Sequence, residues 1–432
     1  MTPTIATLIG GLALLLIGAG LLGTLLGVRA TLSSFSDIET GLIMAGYYVG
    51  YIAGTMLVPR VIRNVGHIRA FAALASLAAA CVLSFGLLVH PAVWLPLRIV
   101  NGLSVVGLYM VVESWLSEQS AGPSRGRIFS LYMTSTLFAL GLGQFLLLVG
   151  DPGSLVPFAL AAMLMALGVI PIAVTRVTAP QIATVVPVKL KELMKISPLG
   201  TVGALGAGMV NGAFWGMTAV FGQRLDLGEL QIALLMSSTI LGGAVLQWPI
   251  GHLSDRFDRR NVLILVSFAT AAVAAGVAVL IMHGLPGLTL GAALYGGLMF
   301  SLYGISVAHT NDHIAHGQVL EATRGLLLVY GVGALFGPLL GGIAMQIAGP
   351  VGLPALSAGM AGLLALYGVY RRTQRVAPPL EEQTEFVPLV RTTPVVLEMH
   401  PATPASNGPG SESVQNGSDD DSGHGQGRIY PK

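Results

Sequence analysis

Charged side chains are concentrated in one short loop between two long apolar runs. Residues 251–260 read Gly-His-Leu-Ser-Asp-Arg-Phe-Asp-Arg-Arg, so two carboxylates accompany three guanidinium groups. Such groups form ion pairs and charge-assisted hydrogen bonds, and a carboxylate also binds the free N–H groups at the start of a helix. Acids at membrane depth are confined to Glu113 and Asp312, both near the ends of apolar runs. These residues favour contacts between helices rather than bond cleavage.

Arg98 is a charge inside the apolar run 92–116. A charge within a membrane span costs roughly 2.5–3.5 kcal/mol, so it needs a compensating role. We therefore predict a functional contact for Arg98. The alternative is that its side chain extends to the outer interface, because the run starts near residue 92.

Polar and aromatic residues near the middle of apolar runs are candidates for binding a small molecule. Asn211 and Trp215 are one helical turn apart and share a helix face. The group suits a neutral or aromatic small molecule better than an inorganic ion, although any one member can serve packing alone. The candidates are Tyr51, Asn101, Tyr109, Gln144, Asn211, Trp215, Gln247, Tyr295 and Tyr303, with Tyr47 and Tyr48 close to Tyr51.

Several other kinds of chemistry are not expected. Cys81 is the only cysteine, which excludes an internal disulfide and a cysteine-based metal cluster. His309, His313 and His316 are spaced only loosely like metal ligands, and a location on the cytoplasmic surface explains them more simply. The sequence has no Walker phosphate loop and no nucleophile–base pair at membrane depth, so we expect no enzymatic activity, metal or cofactor. A net charge of +2 gives no field suited to nucleic acid.

The elements that position these residues are membrane spans. Of the 432 residues, 53% are hydrophobic and 10% charged, with a mean hydropathy of +0.76, whereas soluble domains carry about 25% charged residues. About 20 apolar residues cross a bilayer as a helix. The twelve predicted spans are 4–28, 40–58, 68–89, 92–116, 126–149, 154–174, 199–222, 229–250, 261–283, 287–311, 324–347 and 351–370.

Basic residues predict the orientation and a repeat predicts the organisation. With the N-terminus inside, only Arg29 and Arg224 fall in outer loops, so both termini are expected on the cytoplasmic side of the inner membrane. The longest loop, 175–198, separates residues 1–174 from 199–372. Glu113 and Asp312 each stand 12 residues before an Arg-Gly pair, at an offset of 199. We interpret this as a repeat in which an acid closes span 4 or 10 and Arg-Gly opens span 5 or 11.

The tail, residues 373–432, differs from the rest in composition. Residues 403–432 are rich in Pro, Ser, Gly, Asn and Asp and are expected to be disordered. Residues 384–399 are more apolar and are predicted either as an extended strand on the cytoplasmic face or as a linker.

The spans, the central loop and the 251–260 loop together resemble the major facilitator superfamily over residues 1–372. Its loop pattern is Gly-x-Leu-x-Asp-Arg-x-Gly-Arg-Arg, and here Asp258 stands at the second glycine. Leu97-Arg-Ile-Val-Asn-Gly102 is similar to its Arg-x-x-Gln-Gly motif in span 4. The resemblance implies an all-α integral membrane protein, with twelve transmembrane helices in two pseudo-symmetric six-helix bundles and a solute site near the midplane.

The resemblance also implies a cytoplasmic gate. Asp255 would cap the N-terminus of span 5, and Arg259 or Arg260 would pair with Asp312, holding the gate shut in the outward-open state. The alternative is that the loop is only a positive-inside turn. The predicted gate residues are Gly251, Asp255, Arg256, Arg259, Arg260, Asp312, Glu113 and Arg69.

The corresponding loop of the first half departs from the pattern. Pro59 replaces the first glycine and Arg63 replaces the aspartate, whereas Gly66 keeps its place. An arginine cannot cap a helix N-terminus, so this half is predicted to use Arg69 or Arg63 with Glu113. The ending Gly66-His-Ile-Arg69 resembles a poorly characterised bacterial subgroup of the superfamily.

Two more features take their interpretation from the resemblance. The span 4 arginine, here Arg98, is associated with proton coupling or with holding an anionic group. The glycines and proline of span 11 resemble a motif that drug antiporters carry in span 5. Because the span differs, we interpret the motif as a packing and hinge element. Its residues are Gly333, Gly337, Pro338, Gly341 and Gly342.

The predicted function is secondary active transport of a small organic solute by alternating access, coupled to protons, with uptake and efflux both open. The chain is expected to act as a monomer in the lipid bilayer. The alternative is a non-transporting receptor or scaffold on the same fold that acts through its tail.

Overall fold

The computed structural model describes residues 3–119, 125–174, 188–284, 286–314 and 318–374, together with Phe386. These residues form helices and short connections, with no strand among them. The tail segments 384–399 and 403–432 lie outside the described residues except for Phe386. The helices are α1 (Pro3–Leu32), α2 (Asp37–Val65), α3 (His67–Leu87), α4 (Pro91–Glu118), α5 (Arg125–Phe145), α6 (Val156–Leu167), α7 (Val169–Val174), α8 (Leu190–Ile196), α9 (Pro198–Arg224), α10 (Glu229–Arg256), α11 (Arg259–Met282), α12 (Leu288–Asn311), α13 (Val319–Ala348) and α14 (Gly352–Arg372).

When α6 and α7 are counted as one span and the short α8 is left out, these helices form twelve spans of membrane length. This confirms the predicted fold class. Eleven apolar stretches are long enough to cross a membrane, and the last of them, Glu321–Arg372, contains both α13 and α14. α6 and α7 together form span 6. Short 3₁₀ turns, Leu146–Val149 and Gly349–Val351, follow α5 and α13.

The two halves pack their helices in the same pattern. In the first half α1 packs on α5, α2 on α4, and α3 on α4 and α6. In the second half α9 packs on α13, α10 on α12, and α11 on α12 and α14. Each pair of the first half therefore has its counterpart in the second, as a six-helix repeat requires.

Glycines at the tightest crossings fix the register of the repeat. Gly50 lies against the carbonyl of Ile99, and its counterpart Gly242 against that of Ala293. The same holds for Gly102 on the Tyr47 carbonyl and Gly296 on the Thr239 carbonyl. A Cβ at any of the four would lie within 3.0 Å of backbone, which is why small residues are needed where membrane helices approach closely.

This register corrects the offset of 199. Corresponding residues are 192 apart between α2 and α10 and 194 apart between α4 and α12. Glu113 accordingly lies inside α4, which continues to Glu118, whereas Asp312 follows the end of α12. Arg324 likewise lies inside α13, which begins at Val319. Side-chain type at two positions suggested the offset, but backbone packing determines which positions correspond.

Two local predictions were also wrong. Span 2 was placed at 40–58, yet α2 continues through Pro59 to Val65 and ends where Gly66 adopts φ +84°. A proline costs the helix one hydrogen bond, whereas this left-handed φ stops it and suits glycine. The central loop also contains a helix that was not predicted, α8, whose Leu193 is buried and lies next to Gly325 of α13.

The two bundles meet mainly at one end of the molecule. We call the end with the 59–69 and 251–260 loops the basic end, and the end with the 33–36 and 225–228 loops the opposite end. At the opposite end the Arg224 guanidinium pairs with Asp37 at 2.9 Å, and Gly41 of α2 lies on the Pro338 carbonyl of α13. The helix pairs that join the bundles are α2 with α13, α5 with α10, and α1 with α9. This arrangement closes the opposite end.

Candidate functional site

A cavity lies between the two bundles. α1, α2, α4 and α6 contribute to it from the first bundle, and α9 and α10 from the second. It is lined by Ala19, Gly20, Leu22, Gly23, Thr24, Tyr47, Arg98, Asn101, Val105, Tyr109, Met165, Trp215 and Met236.

Arg98 is the one charged residue among the described residues of this lining. Its side chain is buried, with the guanidinium carbon 4.8 Å from the centre of the Tyr47 ring. One Nη1 hydrogen is donated to Asn101 Oδ1 at 3.3 Å. The arginine therefore points into the protein rather than along the helix to the membrane interface, and the aromatic face stabilises its charge.

Asn101 adds a second hydrogen-bond donor to the cavity. Its Oδ1 accepts from Arg98, which leaves Nδ2 as the other polar atom of the side chain. That Nδ2 is buried and has no hydrogen-bond partner among the described residues. A buried amide donor left unsatisfied costs about 1–3 kcal/mol, so a bound acceptor would recover that free energy.

The structure brings only part of the predicted binding group together. Asn101, Tyr109 and Trp215 line the cavity, as does Tyr47. Trp215 packs its ring against Phe214 and Phe300. The cavity residues that sequence reasoning missed are small or apolar, namely Thr24, Val105, Met165 and Met236 among others. No type-based signal distinguishes these four from ordinary packing residues.

The other predicted candidates lie outside this lining. Gln144 is fully buried, accepts from Thr24, and donates to the carbonyls of Gly20 at 3.1 Å and Leu140 at 2.9 Å. The contacts with Thr24 and Gly20 hold α5 against α1, whereas the Leu140 carbonyl belongs to α5 itself. Asn211 donates to the Ala207 carbonyl at 2.9 Å.

Four further candidates sit within the second bundle or beside Tyr47. The Gln247 amide donates to the Phe300 carbonyl at 3.2 Å. Tyr303 packs on Tyr330 with ring centres 4.7 Å apart. The ring centres of Tyr51 and Tyr47 are 6.1 Å apart. Tyr295 lines a separate, mostly apolar cavity between α9, α10, α11, α12 and α14.

Glu113 is a carboxyl group at membrane depth with no solvent exposure. The Tyr132 hydroxyl of α5 donates to Glu113 Oε1 at 2.6 Å. Arg63 and Arg69, its predicted partners, are both exposed on the basic end. The predicted pairing of Glu113 with either arginine therefore stays a prediction, and the hydrogen bond from Tyr132 is what sequence reasoning missed.

The 251–260 loop builds a buried ion-pair network. Arg259 Nη1 donates to Asp312 Oδ1 at 2.6 Å, and Arg259 Nη2 to Asp255 Oδ1 at 3.0 Å. The Arg259 and Asp312 side chains are 1% and 2% exposed. Of the two arginines proposed for Asp312, the structure places Arg259 there. Asp255 Oδ1 also accepts the backbone N–H of Phe386 at 2.8 Å.

Arg260 takes a different partner, and this accounts for the departure from the loop pattern. Asp258 is the N-cap of α11 and accepts the Arg260 N–H at 3.0 Å, while the Arg260 guanidinium contacts its other oxygen at 2.8 Å. Partial burial opposes ionisation of Asp258, but these hydrogen bonds outweigh it and lower the pKa of the carboxyl. The φ of −54° needs no glycine, so an aspartate can occupy the position. Arg256 is exposed.

The glycine-proline segment of α13 serves packing. Gly333 and Gly337 lie on the carbonyls of Leu205 and Met209 in α9. Gly342 lies on the Asp37 carbonyl of α2, across the bundle interface, and Gly341 contacts Met217. α13 continues through Pro338 without a break. These contacts account for packing, whereas the hinge role stays a prediction.

Comparisons of sequence agree with this architecture. The family profile described as Major Facilitator Superfamily matches residues 196–403. The chain is 28% identical over 356 residues to the "Uncharacterized MFS-type transporter YcaD" of Escherichia coli strain K12, covering 80% of this chain and 90% of the relative. The protein of the same name from E. coli O17:K52:H18 is equally similar.

Solved structures share the fold. The nucleoside transporter NupG superposes with a TM-score of 0.68 at 14% identity, covering 85% of this chain and 99% of that chain. A bacterial homologue of the human lysosomal transporter Spinster, in an inward-facing and unoccupied conformation, gives a TM-score of 0.65 at 13% identity, covering 86% and 96%. At such identities the likeness concerns the fold alone.

Proposed function

We propose that the chain is a solute transporter of the major facilitator superfamily and that it carries a small organic anion through the cavity between its bundles. The observation that carries this proposal is the donor pair formed by Arg98 and the Nδ2 of Asn101. Among the described residues that line the cavity, one is basic and none is acidic. A carboxylate or similar group would neutralise the guanidinium and satisfy the amide.

The remaining walls favour an organic body on this anion. Tyr47, Tyr109 and Trp215 present aromatic surface, and Met165 and Met236 present adaptable apolar surface. An inorganic anion would leave this surface without a partner. We therefore assign an anion with an apolar or aromatic part.

Transport proceeds by rocking of the halves 1–174 and 199–372, with the cavity opening to one side of the inner membrane at a time. Both termini are then cytoplasmic, as the basic loops predict. Glu113 is our candidate for the coupling proton, because it is a fully buried carboxyl held by the Tyr132 hydroxyl at 2.6 Å. Protonation would remove its charge and weaken that hydrogen bond.

The first test is a thermal-shift screen of small organic acids against their neutral amides. Acids should stabilise the protein, and Arg98→Gln should weaken binding of a hit by roughly 10- to 100-fold, the range expected for a lost charge-assisted hydrogen bond. The matched control is Arg60→Gln, which removes an exposed arginine of α2. Amides that bind as well as acids, or hits indifferent to Arg98→Gln, would refute the anion assignment.

Flux of that hit in proteoliposomes then tests coupling. A pH gradient should drive accumulation in the parent protein. Glu113→Gln should abolish this accumulation while leaving exchange without a gradient. Undiminished gradient-driven accumulation in Glu113→Gln would exclude Glu113 as the proton site.

A further inference from the structure

Phe386 is a tail residue seated on the 251–260 loop. Its backbone N–H donates to Asp255 Oδ1 at 2.8 Å. Its ring lies over Gly251, where an added Cβ would come closer to the ring than 3.0 Å. The ring is half-buried and packs against the core. One residue of the tail thus contacts both the glycine and the aspartate of the loop pattern.

Gly251 and Asp255 belong to a continuous face of α10. An α-helix turns by about 100° per residue, so side chains at certain spacings point in nearly the same direction. On α10 the side chains that lie within about 40° of one common direction are Ser237, Leu241, Trp248, Gly251 and Asp255. At the opposite end α5 covers this face, since Ser237 Oγ donates to the Gly141 carbonyl at 3.0 Å and Leu241 is a near neighbour of Gly141.

Further along the face α5 no longer covers α10. Trp248 is 79% exposed, and beyond it Phe386 occupies the surface at Gly251 and Asp255. Any movement that brings the basic end of α5 onto α10 must fill the same surface. Phe386 and α5 therefore compete for one site.

We propose that Phe386 itself, docked on Gly251 and Asp255, acts as a latch that holds the bundles apart at the basic end. This inference rests on the proposed rocking motion, but it does not depend on which solute is carried. With the latch docked, Asp255 binds the Phe386 N–H and Gly251 is covered by its ring. With the latch released, both residues can receive α5. Phe386 then sets the balance between the two open forms of the transporter.

Distances between spin labels test the latch in the full-length protein without solute. In a Cys81→Ala background, one label pair replaces Arg127 and Phe257, which report the α5–α10 separation at the basic end. A second pair replaces Val149 and Leu230, which report the same helices at the opposite end. All four positions are exposed.

Removing the latch should shorten the first distance and lengthen the second. We expect Phe386→Ala, and truncation after Gln374, to raise the fraction closed at the basic end by about fivefold or more, as loss of a buried aromatic contact predicts. The matched control is Tyr430→Ala, the other aromatic residue of the tail. Unchanged distances in both variants, or a change on truncation without one for Phe386→Ala, overturn the assignment.

A second measurement tests docking itself. Gly251→Ala should expel the ring, because the new methyl group overlaps it. Hydrogen exchange of the Phe386 N–H, which donates to Asp255 in the docked state, should then quicken severalfold. An unchanged exchange rate shows that Phe386 does not dock on Gly251. Neither readout involves solute, so failure of the latch and failure of the anion proposal are separable.

Discussion

Replacing Asp312 by asparagine removes one carboxylate from a buried cation while keeping the side-chain shape. The Arg259 guanidinium is 1% exposed and has Asp312 and Asp255 as its acidic partners. Asp312 is almost as buried as Arg259, whereas the Asp255 side chain is 36% exposed and accessible to water. Asp312→Asn therefore removes the carboxylate partner of Arg259 that water cannot replace.

The expected loss of folding free energy in Asp312→Asn follows from the burial of the ion pair. Removing one member of a buried ion pair costs about 3–5 kcal/mol. Asp255, the Ala308 carbonyl at 3.1 Å and the new amide oxygen offset part of this cost, so we expect a loss of about 2–3 kcal/mol. The midpoint of thermal unfolding, followed by circular dichroism at 222 nm, should then fall by about 4–12 °C, at roughly 2–4 °C per kcal/mol for a bundle of this size.

The same loop supplies the control. Asp258→Asn breaks the Arg260–Asp258 pair, whose side chains are 10% and 23% exposed and which joins residues two apart on the chain. Because solvent screens this partly exposed pair more than the Asp312 pair, we expect it to contribute about 0–1 kcal/mol, so this variant should lower the melting temperature by less than about 4 °C. Equal shifts in the two variants would refute the argument that burial gives the Asp312 contact its stabilising effect.

Two further predictions use the same assay. Gly50→Ala should lower stability strongly or prevent folding, because the new methyl group would overlap the Ile99 carbonyl. Gly10→Ala is the control and should be neutral, because there is open space at its Cβ. A harmless Gly50→Ala would show that α2 and α4 can separate without loss of stability. The stabilisation from Asp258, whose folded pKa is lowered, should be complete above its unfolded pKa of about 3.9 and disappear as pH falls through the folded pKa. The gap in melting temperature between the parent and Asp258→Asn should thus narrow below about pH 4, and a constant gap would contradict this account.

The spans and the charged loop could be predicted because they depend on neighbouring residues. The length of apolar runs such as 229–250 and 261–283 is enough to predict a membrane span. In the structure α10 and α11 occupy these two runs. The pairing of Asp312 with an arginine of the 251–260 loop was predictable from the resemblance of this loop to the superfamily pattern. The choice of Arg259 over Arg260 was not, since Asp258 captures Arg260 once α11 begins.

The cavity could be predicted only in part. Arg98 and Asn101 are conspicuous as polar residues in an apolar helix, and they do line it. Gln144 is equally conspicuous, yet its amide binds α1. Residue type cannot separate these cases, because an amide that binds solute and one that binds a neighbouring helix look the same along the chain.

The sequence by itself determined that the chain crosses the membrane twelve times, which loops are basic, and which few charges must find partners. Those properties follow from hydropathy and charge, which act locally against the lipid. Only the tertiary structure decided the true register of the repeat, the residues that share the cavity, and the contact of Phe386 with Gly251 and Asp255. Lipid-facing and protein-facing sides of these helices are similarly apolar, so close backbone packing, and not hydropathy, orients one helix against another.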